Sequence, residues 1–163
     1  MIGQKEIYDK LKSLQIEYEY YEHPPIPLAE DALKYPRGEN TTYCKNLFFR
    51  NHKGSRHYFV LLRYDQNLSI KDFEAKMHQG KMSLASGWRM EKYLNTTPGS
   101  VSPLGLVNDI TNHVHLYIEN SLKDATKLSF HPNDNRASLI LTNEGFIRYL
   151  KAIGNSYEFR QLV

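Results

Sequence analysis

The first residues that could do chemistry are a lysine and an amide at the start of an apolar run. Lys45 and Asn46 open the stretch KNLFFRNHKG, ahead of three apolar residues. A lysine ammonium binds phosphate as a compact point charge, and an asparagine amide either satisfies nearby backbone groups or meets a ligand. From residue types alone, a solvated strand-end charge and a structural amide are the commoner roles. The pair therefore predicts a site only if other residues converge on it.

A loop of small residues is the best candidate for a site built from the backbone. The stretch TTPGSVSPLG, residues 96–105, contains two prolines, two glycines and four hydroxyl side chains. Gly99 and Ser100 lie at its centre and Pro103 follows. Small residues let backbone N–H groups approach a ligand closely, so this loop is predicted to bind one.

Four further side chains have two interpretations each. His131 ends an apolar strand just before a proline, where a side chain often faces a cleft, although a lone histidine is more often structural. Cys44 is a nucleophile candidate beside Lys45, but neighbours on a strand point to opposite faces and thiols are commonly buried. His113 and His115 share a strand face, yet no carboxylate or cysteine pattern accompanies them, so no metal site is predicted.

The elements that must position these residues alternate between helix and strand. Apolar spacing predicts a helix over residues 4–14, followed by the strand IEYEYYEH, and the prolines after His23 force a bend before a short helix near LAEDALKY. Residues 44–50 and 57–64 form two apolar runs around the polar turn NHKGSR, which predicts a β-hairpin. Ser69 is predicted to cap the helix IKDFEAKMHQ, with Asp72 at its N3 position.

The second half of the chain continues the same alternation. GWRMEKYL is typical of a short helix, HVHLYIE, TKLSFH and SLILT are typical of strands, and NEGFIRYLKAIG is predicted to be a helix that ends near Gly154. The chain carries no repeat, linker or low-complexity tract. We therefore expect one domain over residues 1–163.

Composition bounds the function loosely. Lys and Arg number 21 against 18 Asp and Glu, a net charge of +3, and no basic tract of the kind that wraps duplex DNA is present. The single cysteine fits a reducing compartment. No signal peptide or membrane-spanning stretch is recognisable, so we expect a cytoplasmic protein. The Walker, Rossmann, nucleophile-elbow and HExxH signatures are absent from the sequence.

Taken together, three motifs resemble a known family. They are KNLFF at 45–49, GSVSP followed by GLVND at 99–109, and FHP at 130–132 with two nearby asparagines. The combination is similar to YbaK-type aminoacyl-tRNA editing domains, specifically the free-standing deacylases related to the insertion domain of bacterial prolyl-tRNA synthetase. The resemblance runs from residue 23 through the C-terminal helix. It implies a compact α+β domain, with a mixed, partly barrel-like β-sheet flanked by helices, that hydrolyses mischarged tRNA without a cofactor.

The resemblance also implies partners and residue roles. The expected partner is the acceptor end of mischarged tRNA(Pro), with prolyl-tRNA synthetase as a second candidate. Lys45 is expected to bind the phosphate near the terminal adenosine. Gly99 and Ser100 are expected to surround the ester, with Pro103 closing the loop, and His131 to line the amino-acid pocket.

Two positions bear on the amino acid that is removed. Asn46 is expected to position the aminoacyl end, and an asparagine after the lysine favours alanine over cysteine. Leu28 stands where the family often has a threonine, so this part of the pocket wall departs from the family pattern. If Lys45 and Asn46 both face one ligand, a regular strand cannot run through them, because neighbouring side chains alternate faces. We therefore expect a bulge or a strand start at 45–46.

The residues suit ester hydrolysis without a covalent nucleophile. Backbone N–H groups of the 99–103 loop are expected to stabilise the tetrahedral oxyanion, worth about 3 kcal/mol for one well-placed donor, and the vicinal ribose hydroxyl of the substrate is expected to assist the attacking water. Two alternatives stay open: a module that binds tRNA or a synthetase without turnover, and a thiol hydrolase that uses Cys44.

Overall fold

The computed structural model describes residues 1–163 as one α+β domain with four helices and eight strands. In chain order these are α1 (Lys5–Ser13), β1 (Glu19–Glu22), β2 (Thr41–Asn51), β3 (His57–Arg63), α2 (Ile70–Met77), β4 (Met82–Leu84), α3 (Gly87–Leu94), β5 (Val114–Glu119), β6 (Lys127–Phe130), β7 (Ala137–Thr142), α4 (Asn143–Ile153) and β8 (Tyr157–Arg160). Short 3-10 helices cover Ala29–Lys34, Pro103–Asn108 and Asn120–Leu122.

The strands form one mixed sheet in the order β1-β7-β6-β2-β3-β5-β8, with β4 attached to β2. The pairs β2–β6, β3–β5 and β5–β8 are parallel, whereas β1–β7, β6–β7, β2–β3 and β2–β4 are antiparallel. The end strands β1 and β8 do not pair with each other, so closure of the sheet is only partial. The α+β class and the mixed sheet agree with the prediction.

Local capping explains where two of the helices begin and end. The Ser69 hydroxyl accepts the Asp72 N–H at 3.4 Å at the start of α2, as predicted. The Thr142 hydroxyl accepts the Gly145 N–H at 3.0 Å at the start of α4, and Gly154 ends that helix with φ of 89°. The predicted hairpin is present as β2 and β3. The strands β4 and β8 were not predicted.

Hydrophobic packing covers both faces of the central strands. Alternate residues of β3 enter different clusters: Phe59 and Leu61 join the larger core with α1 and α4, while Val60 and Leu62 join a smaller core under α2. A strand buried on both faces is apolar at nearly every position, which accounts for the run YFVLL. β3 is therefore a rigid support for its neighbour β2. No helix is both long enough and apolar enough to cross a membrane.

The outer edge of β2 is paired only at its two ends. Residues 41–43 pair with β6 and residues 49–51 pair with β4, whereas no strand pairs with residues 44–48 on that edge. On the other edge, β2 pairs with β3 without interruption from Cys44 to Arg50. The expected bulge or strand start at 45–46 is therefore wrong, because the partner strand β3 holds Lys45 and Asn46 in regular antiparallel register.

Candidate functional site

A cavity of about 510 Å³ opens at the unpaired edge of β2. The end of β6 lies on one side of it and the end of β4 on the other, since these two strands pair with β2 at either end of the gap. Most of its walls are apolar, and the lining includes Ile26, Pro27, Leu28, Phe48, Leu84, Ala85, Met90 and Val101. Lys45, Asn46, Gly99 and His131 line the same cavity. The structure thus brings together residues from all three sequence motifs.

Main-chain polar groups of β2 point into the gap. The Tyr43 carbonyl accepts from Tyr64 and the Asn51 N–H donates to Arg56, so odd-numbered residues of β2 bond toward β3. Even-numbered residues bond the other way, as the Phe48 carbonyl does when it accepts the Ala85 N–H at 2.8 Å. The carbonyl of Cys44 and both main-chain groups of Asn46 therefore face the gap, and no protein group hydrogen-bonds them.

Lys45 lies at the cavity without a carboxylate partner. Its side chain leaves β2 on the face opposite to Asn46, and Nζ donates to the Gln66 carbonyl at 2.6 Å and to Asn67 Oδ1 at 3.0 Å. Both acceptors are neutral, so the ammonium charge is not compensated by an ion pair. Lys45 and Asn46 both line the cavity despite the regular strand, because the cavity meets β2 at its edge rather than on one face.

The side chain of Asn46 supplies a second unpartnered group. Its Oδ1 atom is buried and has no hydrogen-bond partner within the protein. A buried amide oxygen without a donor costs about 1–3 kcal/mol. A buried amide oxygen without a protein partner at a cavity wall is typical of a position that hydrogen-bonds a ligand.

The loop containing Gly99 presents free backbone donors. Gly99 has φ of 89°, and its carbonyl accepts from Asn135 Nδ2 at 3.3 Å. Gly99 and Val101 both line the cavity, and neither N–H donates to a protein acceptor. A left-handed φ favours glycine, and a Cβ at Gly99 would lie 3.4 Å from the Cβ of Pro27. The loop can therefore offer two N–H groups to an oxygen in the cavity.

Two other residues of this loop that were predicted to contact the substrate, Ser100 and Pro103, lie away from the cavity. The Ser100 hydroxyl accepts the Asn135 N–H at 3.1 Å, and the Ser100 N–H donates to the Thr97 carbonyl at 3.1 Å. Pro103 is buried at the first position of a 3-10 helix that Ser102 caps. Neither Ser100 nor Pro103 lines the cavity. Their geometry is that of residues that shape the loop, not of residues that touch a ligand, and it differs from the prediction in this respect.

His131 presents one ring nitrogen that the protein does not use. Its Nδ1 atom lies 2.8 Å from the Ala137 carbonyl, which can only accept, so Nδ1 carries the hydrogen. Burial, with smaller contributions from His23 and Arg37, lowers the pKa of His131 to about 4. The ring is therefore neutral at pH 7 and Nε2 holds a lone pair. No protein donor reaches Nε2, and it is not sealed from solvent.

The segment after His23 forms one wall. The His23 N–H donates to the Arg136 carbonyl and the Ile26 N–H donates to the Asn135 carbonyl, each at 3.0 Å. These bonds fix Pro27 against Gly99 and leave Leu28 at the rim, where 55% of its surface is exposed. Leu28 lines the cavity.

Cys44 also lines the cavity, but its environment does not activate it. Burial raises the pKa of the Cys44 thiol well above its ordinary value. The Lys45 side chain lies on the other face of β2 and does not offset this effect. The thiol is therefore protonated at pH 7, and a protonated thiol is a poor nucleophile.

His113 and His115 belong to a different region and have separate partners. His113 Nε2 lies 2.9 Å from His57 Nδ1, and His115 Nδ1 lies 2.6 Å from the Ser156 hydroxyl. Together with Glu158 they border a second, polar cavity of about 620 Å³, which we call the histidine basin. No cluster of three or more histidine, cysteine, aspartate or glutamate side chains could hold a metal ion.

Several lining residues were not predicted from the sequence. Val101, Met90, Ala85 and Tyr64 come from the 99–103 loop, α3 and the ends of β4 and β3. Val101 was within reach of sequence reasoning, since it lies between Ser100 and Ser102 in the loop that was singled out. The others have ordinary core residue types, and only the non-local pairing of β2 places them at the cavity.

Comparison with known proteins agrees with this fold. Residues 23–149 match the family model described as an aminoacyl-tRNA editing domain. The chain is 37% identical over 163 residues to the prolyl-tRNA editing protein ProX of Acetoanaerobium sticklandii, covering 99% of each chain. It is 25% identical to the prolyl-tRNA synthetase associated domain-containing protein 1 of Mus musculus, covering 92% of this chain and 90% of the mouse protein.

A solved structure shows the same fold. It is the crystal structure of a candidate trans-editing enzyme for prolyl tRNA synthetase, with a TM-score of 0.70 and 18% identity, covering 95% of this chain and 94% of the other. The fold and the family model define the class of protein: the chain belongs to the aminoacyl-tRNA editing domain family. Within that class it is an aminoacyl-tRNA deacylase, an enzyme that hydrolyses the ester between an amino acid and tRNA.

Proposed function

We propose that this enzyme removes alanine from mischarged tRNA(Pro) in trans. One observation carries the proposal: a single cavity at the open edge of β2 joins an uncompensated lysine, free backbone donors and a free imidazole nitrogen. The names of the relatives, a prolyl-tRNA editing protein and a prolyl-tRNA synthetase associated domain protein, support the choice of tRNA.

Lys45 anchors the end of the tRNA. Its ammonium donates to two neutral oxygens. A phosphate beside the terminal adenosine can therefore form an ion pair with Lys45 without displacing a carboxylate. No broad basic surface is needed for a contact with one phosphate. The role of Lys45 is therefore to position the ester, which contributes to the rate by orienting the reacting groups.

The N–H groups of Gly99 and Val101 stabilise the reaction intermediate. A water oxygen attacks the ester carbonyl carbon, and the carbonyl oxygen becomes an oxyanion that accepts from these donors. The carbon–oxygen bond to the ribose then breaks, and the ribose oxygen takes up the proton that the attacking water loses. The vicinal ribose hydroxyl assists the attacking water, and no covalent intermediate with the enzyme forms.

The amino-acid end favours a small apolar side chain. Phe48, Met90 and Val101 form apolar walls, and Asn46 reaches the cavity from the edge of β2. An apolar pocket excludes a larger side chain by size much better than it rejects a smaller one. Alanine is therefore accepted and proline is spared, while glycine and serine esters are expected to react more slowly than alanine but measurably.

Partners and location follow from the substrate. The acceptor end of tRNA(Pro) is the required partner, and prolyl-tRNA synthetase is a second partner within the proposal. A cytoplasmic location is part of the same proposal, because a deacylase must meet charged tRNA where translation consumes it.

The test is a deacylation assay with Ala-tRNA(Pro), Pro-tRNA(Pro) and Cys-tRNA(Pro). Wild-type enzyme is expected to hydrolyse the alanyl ester with multiple turnovers and to spare the prolyl ester. Lys45→Ala should lower the alanyl rate by about 100-fold, since positioning contributes several kcal/mol to such reactions. Lys53→Ala, at an exposed lysine in the β2–β3 turn, is the matched control and should keep the wild-type rate. Equal rates for Lys45→Ala and wild type would overturn the role of Lys45.

The same assay separates the alternatives. A module that only binds tRNA would show no multiple turnover with any of the three esters. A thiol hydrolase would lose activity in Cys44→Ala, whereas the proposed mechanism predicts that this variant retains most of it. Preference for Cys-tRNA(Pro) over Ala-tRNA(Pro) would leave the deacylase class intact and correct the amino acid.

A further inference from the structure

The cavity contains hydrogen-bond acceptors that the proposed ester chemistry does not use. The oxyanion needs donors, which the 99–103 loop supplies, and the phosphate needs a cation, which Lys45 supplies. Left over are Nε2 of His131, Oδ1 of Asn46 and the main-chain carbonyls of Cys44 and Asn46. A group that meets these acceptors must carry hydrogens. The groups of this kind near the ester carbonyl are the attacking water, the vicinal ribose hydroxyl and the protonated α-amino group, and of these only the α-amino group carries a positive charge.

The tautomer of His131 is fixed by the fold. The Ala137 carbonyl accepts the Nδ1 hydrogen at 2.8 Å, and Ala137 pairs with Glu22 of β1, so this carbonyl belongs to the sheet and is rigidly placed. The neighbouring His23 is also bonded through both nitrogens, with Nδ1 at 2.8 Å from the Pro24 carbonyl and Nε2 at 2.7 Å from the Ser138 hydroxyl. His131 Nε2 is therefore the one imidazole nitrogen of this pair that is free to accept from a ligand.

The position of His131 also places it beside the open edge of β2. β6 runs parallel to β2, and the last pair between the two strands is Ser129 with Tyr43. β6 itself ends one residue later, at Phe130. His131 follows directly after β6 and lines the same cavity as Cys44 and Asn46, whose main-chain carbonyls have no protein partner. Those carbonyls are two residues apart, about 7 Å along the strand, too far for one ammonium to reach both. One of them and Nε2 form a pair of acceptors.

Charged groups of both signs lie around this place: Arg37 and Asp134 act on the pKa of His131 in opposite directions. Glu30 is the carboxylate that lines the cavity, and Lys45 leaves β2 on the face away from Asn46. Resting on the proposed function, we infer that His131 Nε2 and one free carbonyl of the β2 edge bind the protonated α-amino group of the substrate. The enzyme therefore acts on esters with a free amine and rejects esters whose amine is acylated or replaced.

A size-matched substrate tests this inference. Lactyl-tRNA(Pro) replaces the ammonium of alanyl-tRNA(Pro) with a hydroxyl, and N-acetyl-alanyl-tRNA(Pro) blocks it. Because the ammonium also makes the ester intrinsically more reactive, each enzymatic rate is divided by the uncatalysed rate under the same conditions. The corrected rate should fall by about 10-fold to 100-fold for the lactyl ester, the effect of one charge-assisted hydrogen bond, and by at least as much for the N-acetyl ester. Corrected rates within about twofold of each other would overturn the inference.

Variants at His131 provide an independent readout. In His131→Leu the corrected alanyl-to-lactyl ratio should fall toward one, because the acceptor is lost. In His131→Gln a side-chain oxygen can reach the Nε2 position, and the ratio should recover in part. An unchanged ratio in the leucine variant would overturn the inference, and if that variant does not fold, the substrate comparison with wild type decides. If the wild-type enzyme had no activity on Ala-tRNA(Pro), the proposed function itself would be refuted.

Discussion

The cavity at the edge of β2 and the histidine basin differ in how their polar groups are satisfied. In the basin region, Arg89 donates to His57 Nε2 at 2.9 Å and His57 Nδ1 meets His113 Nε2 at 2.9 Å. Since a guanidinium can only donate, His57 Nε2 is the acceptor and His57 carries its hydrogen on Nδ1. This Nδ1–H donates a hydrogen bond to His113 Nε2. At the edge of β2, by contrast, His131 Nε2 has no protein partner.

The same contrast holds for groups other than histidine. In the basin, the Tyr58 hydroxyl donates to Gln79 at 2.8 Å and Arg160 donates to Glu158 at 3.2 Å. At the edge of β2, Oδ1 of Asn46 and the N–H of Gly99 have no protein partner. Buried polar groups in stable structure are almost always paired. Isolated buried atoms elsewhere also lack a partner, namely Arg37 Nε, Asn133 Oδ1 and Asn155 Oδ1. The comparison therefore teaches that the site is marked by several unpaired polar groups around one cavity, not by a single unpaired group or by the number of chemically capable side chains.

The largest difference in deacylation rate is expected between alanine substitutions at two glycines that share a left-handed backbone conformation. Gly99 has φ of 89° and Gly80 has φ of 78°, but a Cβ would contact Pro27 only at Gly99, and nothing lies within 4 Å at Gly80. Gly99→Ala should lower deacylation of Ala-tRNA(Pro) by about 100-fold, because the loop donors shift away from the oxyanion. Gly80→Ala should cost about 1–2 kcal/mol of stability and leave the rate unchanged. Similar rates in the two variants would contradict the assignment of the loop.

A histidine in the satisfied region should matter for stability and not for rate. His57→Leu removes the partner of both Arg89 and His113, and should lower the free energy of unfolding by about 2–3 kcal/mol. Urea denaturation measures this change, and the rate on Ala-tRNA(Pro) per folded molecule should stay within about threefold of wild type. If His57→Leu lost activity without losing stability, the assignment of the reaction to the edge of β2 would be contradicted.

Both regions should respond to pH in the same direction. Burial is the largest of the effects that bring the pKa of His57 and of His131 to about 4, and nearby basic groups contribute: Arg89 and Lys92 at His57, His23 and Arg37 at His131. His113 and Arg50 add to the effect at His57, and Asp134 opposes it at His131.

Because the folded pKa lies below the ordinary value, the stabilisation is complete above pH ~6.5 and is lost as the pH falls toward 4. For His131 alone, the loss between pH 7 and pH 5 is on the order of 2 kcal/mol. Urea titrations at these two pH values measure it, with His131→Gln as the control that should show a smaller decrease. Equal decreases in wild type and variant would contradict the role of His131.

The smallest effect is expected at Ser100, which the sequence pointed to as catalytic. Its hydroxyl supports the Asn135 N–H and does not line the cavity. Ser100→Ala should therefore cost about 1 kcal/mol of stability and change the rate on Ala-tRNA(Pro) by less than about threefold. A decrease of 100-fold would restore Ser100 to the catalytic machinery.

Sequence patterns anticipated the local structure better than the site. The β2–β3 hairpin has a polar turn between apolar runs, and α2 has a capping serine, so both are visible in short windows. β4 has three residues and β8 has four, which is too short for an alternating pattern to stand out. These two strands were missed for that reason.

The site itself depends on pairing between distant parts of the chain. No short pattern shows that β2 pairs with β6 at one end and β4 at the other, so the open edge between them was not predictable. The expected bulge at 45–46 came from assuming that Lys45 and Asn46 must share a face to reach one ligand. The convergence of Lys45, Gly99 and His131 on one cavity was anticipated through the resemblance, because the motif set implied it.

The most direct test uses a non-hydrolysable amide analogue of 3′-alanyl-adenosine, titrated into ¹⁵N-labelled protein and followed by NMR. The account predicts chemical-shift changes at the Asn46, Gly99 and Val101 amides and at His131 Nε2, with no change at the His57 and His113 rings. Changes confined to the histidine basin, or none at the edge of β2 at saturating analogue, would contradict the claim that the unpaired edge of β2 is the deacylation site.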